Sequence, residues 1–232
     1  SANRGVNIDM LIEAIEEHIV SKVVRDTESP PLMHVARSFD INSPGAEPKD
    51  LRGGVLGGTL VQGILKVGDE IEVVPGRKVE VAGKPTWERI TAKVVSLQAG
   101  GRSVDEVCPG GLVSIGTALD PSMTKSDGLT GRIVGTPSNL PPVVHDFSMA
   151  ITLLDRVVGS SSELEVDEIK TNEPLMLSIG TATTVGVVKS ARAESAEVVL
   201  KIPVCVLEGQ RVAISRRISN KWRLIGYGII EQ

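Results

Sequence analysis

The sequence predicts an all-β protein, in which two consecutive β-barrels follow a short N-terminal helix. From Pro30 onward, segments rich in Val, Ile and Leu alternate with Gly and Pro at intervals of about a dozen residues, which is typical of closed barrels. Hydrophobic residues make up 41% of the 232 residues, which is enough for two cores. Because only 2% of the residues are aromatic, we expect both cores to be aliphatic.

One amphipathic helix is predicted at the start of the chain, within "SANRGVNIDMLIEAIEEHI". Apolar residues recur there at helical spacing, at Ile8, Leu11, Ile12, Ile15 and Ile19. Asn7 or Asp9 is placed to cap the first turn. Pro30 and Pro31 cannot continue a helix and favour an extended strand, so they mark a domain boundary.

We expect three parts: residues 1–29 with the helix, a first barrel over residues 30–140, and a second barrel over residues 143–232. The segment "TPSNLPPVV" separates the two sets of strands. In the first set, "GGTLVQGILKVGDEIEVVPG" predicts a β-hairpin with a turn at "KVGD" and an end at Pro75-Gly76. The pentapeptide "SIGTA" occurs at Ser114–Ala118 and Ser178–Ala182, and we expect the same strand-to-turn structure at both places.

The charge and the motif content exclude several classes of function. Lys and Arg number 25 against 29 Asp and Glu, so the net charge is −4 and any RNA contact must be local. No GxxxxGK[ST] phosphate loop is present, and the His, Cys and Ser residues lack the spacing of a metal site or a catalytic group. We therefore predict no catalytic residue and no metal ligand in this chain.

The cysteines and the apolar segments indicate the compartment. Cys108 and Cys205 are far apart in sequence and form no CxxC pattern, so we expect two buried, reduced thiols rather than a disulfide. No apolar run approaches the length of a membrane span, and no leader-like segment appears. These features predict a cytoplasmic protein with no membrane partner.

Basic and glycine residues supply the candidate contact surfaces. Basic residues cluster near the end of the chain, at Arg216, Arg217, Lys221 and Arg223. On neighbouring strands, part of this set shares an exposed face that can meet RNA phosphate or an acidic partner. The alternative is a solvated barrel edge, on which Lys and Arg block the addition of a strand. The glycines between Gly53 and Gly58 allow close approach of a ligand, although tight barrel corners need the same residues.

Four stretches carry a resemblance to a known family: "LMHVARSFDINSPG", "LRGGVLGGTLVQGILKVGDEIEVVPG", "CPGGLVSIGTALDPSMTKSD" and "ISRRISNKWRLIGYGIIE". In this order they resemble the gamma subunit of archaeal and eukaryotic translation initiation factor two, and more distantly elongation factor Tu. The resemblance implies that the barrels are elongation-factor-Tu-like second and third domains. Ser1 and Ala2 match the end of a guanine-binding loop, which implies that residues 1–29 are the last helix of a GTPase domain that is otherwise missing. The apolar face of that helix would pack on the sheet of the GTPase domain.

The resemblance also implies the activity of the whole subunit. Such a subunit binds GTP and Mg²⁺, assembles with an alpha and a beta subunit, and carries methionylated initiator tRNA to the small ribosomal subunit. The present chain would supply binding surfaces, would hold no cofactor and would not act as an enzyme.

Two surfaces are expected from local similarity to the family. The surface for the tRNA acceptor end and its amino acid comprises Arg37, Gly53, Gly54, Gly57, Gly58, Gln98, Ala99, Gly100, Pro109, Gly110 and Gly111. Family members often carry a basic residue at Gln98, so a charged contact is expected to be absent or displaced here.

The alpha subunit docks on the second domain in the family, and two connections here, "NSPGAEPKDL" and "PGRKVEVAGKPTWE", are longer than a barrel turn requires. Its contact is expected at Asn42, Pro44, Glu47, Lys49, Asp50, Arg77, Lys78, Lys84 and Trp87. The alternative is that these connections merely vary in length.

Two other functions stay open. The chain could be the barrel region of a specialised elongation factor that delivers another aminoacyl-tRNA, although such a factor would differ in "RSFD" and "KWRLIG". It could also be the barrel region of a GTPase-fold sulfate adenylyltransferase subunit, which an assay of sulfate activation with its partner subunit would reveal.

Overall fold

The computed structural model describes residues 1–19, 24–81, 83–159 and 164–231. Within these residues, one short helix precedes two closed antiparallel barrels, which confirms the predicted fold class. The helix is α1 (Ile8–His18), which follows a 3₁₀ turn at Ala2–Arg4.

The first barrel is built from nine strands, and their bounds are β1 (Leu32–Phe39), β2 (Val55–Gln62), β3 (Leu65–Lys66), β4 (Glu70–Val81), β5 (Lys84–Ala99), β6 (Arg102–Val104), β7 (Glu106–Val107), β8 (Val113–Thr117) and β9 (Ile133–Gly135). The barrel closes in the order β4-β9-β1-β2-β8-β5, because β4 also pairs with β5. A short helix, α2 (Pro121–Thr124), and the 3₁₀ turns Pro48–Asp50 and Lys125–Asp127 interrupt the connections.

The second barrel is built from six strands, and their bounds are β10 (Val143–Leu153), β11 (Pro174–Ile179), β12 (Ala182–Arg192), β13 (Ser195–Cys205), β14 (Arg211–Ile218) and β15 (Lys221–Glu231). They close in the order β10-β13-β12-β11-β14-β15, and β10 pairs with β15.

Both cores are aliphatic, as the composition predicts. Leu56 and Ile115 are fully buried in the first barrel, and Leu175 and Ile214 are fully buried in the second. Phe147 is the one aromatic member of these two cores among the described residues. Along β8 and β11 every second residue is buried, because successive side chains of a strand point to opposite faces.

A third apolar cluster joins the barrels. Leu32, Val74 and Ile133 of the first barrel pack with Cys205 of the second. The turn between β11 and β12 also lies against β1, since a Cβ on Gly180 would lie 2.9 Å from Nδ1 of His34. Burial lowers the pKa of His34 below its ordinary value, which favours the neutral ring.

Two predictions about the first barrel are wrong. The segments β2 and β4 do not form a hairpin, because β2 pairs with β1 and β8 while β4 pairs with β5 and β9. The short β3 lies between them in sequence and pairs with β7 instead. In addition, β4 does not end at Pro75-Gly76, because a bulge between Val73 and Arg77 accommodates both residues and the strand continues to Val81.

The described residues of the connection "PGRKVEVAGKPTWE" therefore belong to two paired strands and the turn between them. Its two halves pair from Arg77 opposite Glu88 to Val81 opposite Lys84, as the outer part of the β4–β5 hairpin. We call this two-stranded extension, Arg77–Glu88, the arm. These paired strands account for the length of the connection, and the alternation of Val79 and Val81 with charged residues suits an exposed hairpin.

Three local expectations also need correction. Asn7 occupies the N-cap position of α1, but its φ is 61° and its side chain makes no capping hydrogen bond. Cys108 is exposed rather than buried, whereas Cys205 is buried and both thiols are free. The two "SIGTA" copies differ, because Gly116 lies inside β8 while Gly180 lies in a turn with a φ of +57°.

Candidate functional site

A groove of about 570 Å³ lies on the outer surface of the first barrel. One part of its lining comes from two neighbouring strands and consists mainly of small residues. There, Ser96 of β5 pairs with Gly116 of β8, and Gln98 pairs with Ser114. Larger apolar side chains stand exposed beside them, at Phe39, Ile41, Leu51 and Val95. The result is a depression with apolar walls and amide and hydroxyl groups at its base.

A bulge in β1 produces one wall of the groove. Met33 and Val35 point into the core, so regular alternation would turn Arg37 and Phe39 inward as well. The register with β2 shifts between Val35 and Arg37, and as a result Ser38 is buried while Arg37 and Phe39 are exposed. The bulge therefore places a guanidinium and an aromatic ring on the same outer face.

Asn42 fixes the connection that carries the opposite wall. Its side-chain Oδ1 accepts from the backbone N–H of Arg52 at 2.7 Å, and its Nδ2 donates to the Arg52 carbonyl at 2.8 Å. These bonds join the two ends of the connection between β1 and β2, and they hold Ile41 and Leu51 beside the groove. Asn42 is thus half-buried and already hydrogen-bonded, whereas its neighbours Pro44, Glu47, Lys49 and Asp50 are exposed.

Arg37 lies next to Phe39 and is paired with a residue that the sequence analysis did not single out. Its Nε donates to Oδ1 of Asp127 at 2.9 Å, and the backbone N–H of Ser38 donates to the same oxygen at 3.0 Å. The hydrogen bond from Arg37 holds the pKa of Asp127 below its ordinary value. In the sequence, Asp127 belongs to the turn-like segment "TKSDG", and nothing in that segment indicates a contact with Arg37.

The predicted acceptor-end residues are only partly brought together. Gly53 and Gln98 line the groove, and Gly57 pairs with Ser114 of the lining. Ala99 and Gly100 lie at the β5–β6 turn, beyond Gln98. Pro109, Gly110 and Gly111 lie in the loop before β8, where a Cβ on Gly110 would meet the Arg25 guanidinium at 3.5 Å. The apolar walls of the groove and Arg25 were missed by sequence reasoning, because each looks like an ordinary strand or linker residue.

Three of the four clustered glycines are required by packing. A Cβ on Gly53 would lie 1.9 Å from the carbonyl oxygen of Thr117, and one on Gly54 would lie 2.2 Å from Oγ1 of Thr124. A Cβ on Gly58 would lie 1.9 Å from the carbonyl oxygen of His34. By contrast, the nearest atom to a Cβ on Gly57 would be in the Phe39 ring at 3.7 Å. Only Gly57 therefore leaves free space on the outer face.

The arm and the connection before β2 present mainly charged side chains. Arg77 and Glu88 form an ion pair of 2.8 Å across the arm, and Lys49 pairs with Glu47 at 2.9 Å. Lys78 lies opposite Trp87, whose ring is covered by the guanidinium of Arg132 at 5.0 Å from the ring centre. Lys84 begins β5, but its side chain lies outside the described part of the structure.

The basic cluster of the second barrel divides into two kinds of residue. Arg216 is largely buried, pairs with Glu173, and donates to the carbonyls of Asp167 at 2.9 Å and Glu168 at 3.0 Å. The exposed residues Arg217 and Lys221 and the half-buried Arg223 lie at the end of the β14–β15 hairpin. The guanidinium of Arg216 is thus occupied by contacts within the protein, and of the four residues we exclude it from the candidate RNA surface.

The described residues contain no group of three or more His, Cys, Asp or Glu side chains arranged to hold a metal ion. Likewise, no helix in the described ranges has the length and apolar character needed to cross a membrane.

Comparison with known families divides the chain at the same place as the two barrels. Residues 53–128 match the model of "Elongation factor Tu domain 2", and residues 145–230 match that of "Initiation factor eIF2 gamma, C terminal".

Curated relatives match the whole of this chain at more than 50% identity. The chain is 58% identical over 231 residues to translation initiation factor 2 subunit gamma of Methanothermobacter thermautotrophicus, covering 100% of this chain and 56% of the relative. It is 54% identical to the subunit of the same name from Methanocaldococcus jannaschii, again over 100% of this chain and 56% of the relative. The chain thus spans about half the length of the curated relatives it matches.

Solved structures agree in fold. The crystal structure of translation elongation factor SelB from Methanococcus maripaludis superposes with a TM-score of 0.70 at 23% identity, covering 100% of this chain and 50% of that one. Its complex with the GTP analogue GppNHp gives a TM-score of 0.71 at 22% identity, with the same coverage. At this identity the likeness concerns the arrangement of strands alone.

Proposed function

This chain belongs to the family of translation initiation factor 2 gamma subunits, and we propose that its first barrel binds the acceptor end of initiator tRNA and the alpha subunit of the factor. The observation that carries the tRNA part is the groove between Phe39, Leu51 and Val95, with Gln98 and Arg52 among its polar groups. The 3′ end of a tRNA is single-stranded, and proteins bind unstacked bases against apolar or aromatic side chains.

The charges around the groove suit a nucleic acid better than they suit an apolar ligand. Arg52 lines the groove and Arg37 stands next to Phe39 on the same face. The lining contains no Asp or Glu. A nucleotide whose base lies in the groove would therefore have two guanidinium groups near its phosphates. The net charge of −4 gives the chain no general attraction for nucleic acid.

The alpha subunit is assigned to the connection before β2 and to the arm. Both are ordered, exposed and held by their own contacts, through Asn42 in the first and the Arg77–Glu88 pair in the second. A preformed surface loses little conformational entropy on binding, so it supports a stable subunit interface. Exposed Lys49, Asp50 and Lys78 would then supply polar contacts at its rim.

Arg217, Lys221 and Arg223 are proposed to contact the phosphates of RNA, with the small ribosomal subunit as the partner that would present them. Binding of GTP and Mg²⁺ and the contact with the beta subunit are assigned to the part of the relatives that this chain does not span. The chain itself is proposed to be a non-catalytic, cytoplasmic component in the delivery of methionylated initiator tRNA. The SelB-like fold leaves the alternative of a specialised elongation factor, which selectivity among aminoacyl-tRNAs would reveal.

One titration in two versions tests this division of tasks. At about 150 mM salt, we expect clear saturation with the alpha subunit and no saturation with labelled methionyl initiator tRNA, because the few phosphate contacts are screened. Tight tRNA binding that persists in salt would show that the barrels hold the acceptor end alone. Absence of alpha binding would contradict the assignment of the arm.

The groove itself is tested at high protein concentration by NMR, with an RNA minihelix that ends in CCA and carries an amide-linked methionine. We expect shifts of the amides around Val95 and Ser114, and their loss in Val95→Trp, which fills the groove. The matched control is Val199→Trp, because Val199 is 43% exposed on the second barrel, against 57% for Val95. Shifts confined to the second barrel would overturn the assignment.

A further inference from the structure

We propose that Asp127 is a positioning residue, which holds the Arg37 side chain by its Nε and so directs the two terminal amino groups of the guanidinium toward an anion bound beside Phe39. The inference rests on the proposed function, in which that anion is a phosphate of the tRNA acceptor end. Two observations carry it: the way the Lys125–Asp127 turn is fixed, and the atom of Arg37 that it contacts.

The turn is held in an uncommon conformation. Ser126 and Asp127 have φ values of 53° and 60°, and two consecutive non-glycine residues in this region are unfavourable by about 1–3 kcal/mol each. Such a conformation persists only where the surroundings fix it. Here the buried hydroxyl of Ser38 accepts from the N–H of Leu129 at 3.0 Å, and the N–H of Ser38 donates to Asp127. The carboxylate is thus fixed relative to β1.

The contact uses Nε of Arg37 and leaves the rest of the guanidinium available. In the described part of the chain, Nη1 and Nη2 of Arg37 have no hydrogen-bond partner, and the side chain is 68% exposed. A guanidinium binds phosphate through two parallel N–H groups in a fixed plane. Fixing Nε against Asp127 therefore sets the plane in which the remaining donors face a ligand.

Positioning matters because a free arginine loses rotamer entropy when it binds. An immobilised, rotamer-rich side chain costs about 0.5–1.5 kcal/mol at an interface, and a side chain that is already held avoids part of that cost. The carboxylate also repels a phosphate, so charge alone predicts that removing Asp127 strengthens RNA binding. Positioning predicts the opposite sign, and the two effects can be separated.

The test compares the unmodified chain with Asp127→Asn, Arg37→Ala and the double variant, using the same methionine-bearing CCA minihelix at low salt. Asn keeps an oxygen that can accept from Ser38, so the fold is retained, and urea unfolding checks this. The neutral amide makes a weaker hydrogen bond to Arg37 Nε than the carboxylate does, so the guanidinium is held less firmly. We expect Asp127→Asn to weaken binding about fivefold although it removes a negative charge, which corresponds to partial loss of the preorganisation. Arg37→Ala is expected to weaken binding about tenfold, a typical loss for a charged contact.

The double variant gives the decisive comparison. If Asp127 acts through Arg37, the double variant binds like Arg37→Ala, because the two losses are not additive. If Asp127→Asn binds the minihelix as tightly as the unmodified chain, or more tightly, the positioning role is overturned. It is also overturned if Asp127→Asn weakens binding as much in the Arg37→Ala background as it does in the unmodified chain. If the unmodified chain shows no shifts at the groove with this minihelix, it is the proposed function that fails. If the unmodified chain binds the minihelix at the groove and Arg37→Ala binds it equally well, then Arg37 does not contact the phosphate and Asp127 has no positioning role.

Discussion

The two barrels have the same number of closing strands, but they differ in regularity. In the second barrel β10, β12, β13 and β15 each extend over 11 residues. In the first barrel β3, β7 and β9 have two or three residues, and α2 and two 3₁₀ turns interrupt the connections. The groove, the arm and the Asp127 turn all belong to the irregular barrel.

This difference shows how a barrel gains a binding surface. The long strands of the second barrel fill a core mainly by alternation, although their register also shifts at three places. In the first barrel a bulge turns Arg37 and Phe39 outward, and small residues beside Val95 leave a depression. The irregular positions are therefore the ones at which substitution should have the most distinct effects.

Among the irregular positions, the largest effect is expected for Gly58→Ala in the first barrel. The new Cβ would lie 1.9 Å from the carbonyl oxygen of His34, so β1 and β2 must separate. We expect the free energy of unfolding to fall by about 3 kcal/mol. The control is Gly57→Ala, where the nearest atom is 3.7 Å away and the change should be within about 0.5 kcal/mol. Urea unfolding measures both, followed by the fluorescence of Trp87 in chains that carry Trp222→Phe in the second barrel, and equal losses would refute the geometry.

A smaller effect is expected in the second barrel for Arg216→Ala. The change removes the pair with Glu173 and leaves the carbonyls of Asp167 and Glu168 without a donor. The free energy of unfolding should fall by about 2 kcal/mol. Arg217→Ala is the matched control, because Arg217 is exposed and bonds only to Asn220 among the described residues. Thermal unfolding measures the difference, and a stable Arg216→Ala protein with reduced RNA binding would return Arg216 to the RNA surface.

The junction of the barrels is tested by its thiol. Burial raises the pKa of Cys205 to about 12, so little thiolate is present at neutral pH, whereas Cys108 is exposed. We expect a thiol reagent at pH 8 to modify Cys108 rapidly and Cys205 only after unfolding. Cys205→Ser should cost about 1 kcal/mol, because a hydroxyl is buried in the cluster with Ile133, while Cys108→Ser should be neutral. Rapid modification of both thiols in the folded protein would show that the junction opens.

The strands that can be predicted from sequence are those that follow simple alternation. Both barrels and the aliphatic cores follow from the spacing of apolar segments in this way. The bulges do not, because alternation through Met33, Val35, Arg37 and Phe39 gives no sign that the face changes. The same limit explains Pro75-Gly76, where a bulge allows the strand to continue past two residues that usually end one.

The candidate site was predictable only where a residue type has one dominant use. The glycines in and just before β2 mark close approach, and the structure supplies the neighbouring atoms for Gly53 and Gly58. Val95 and Leu51 carry no such signal, since an exposed aliphatic residue looks the same as a buried one in sequence. The pairing of Arg37 with Asp127 joins residues 90 positions apart, and only the folded chain brings them together.

The smallest effect on stability is expected for α1, which extends the comparison from the barrels to the segment before them. No residue of this 11-residue helix is buried, and Leu11 is 55% exposed. We expect Leu11→Ala to change the free energy of unfolding by less than about 0.5 kcal/mol, while Leu60→Ala, at a position of β2 that is 1% exposed, should cost about 2–5 kcal/mol. An isolated helix of this length is marginal in water, so its amides should also exchange with solvent far faster than those of β12. A loss above about 1 kcal/mol for Leu11→Ala, or slow exchange in α1, would show that its apolar face packs on a barrel flank or on a second molecule.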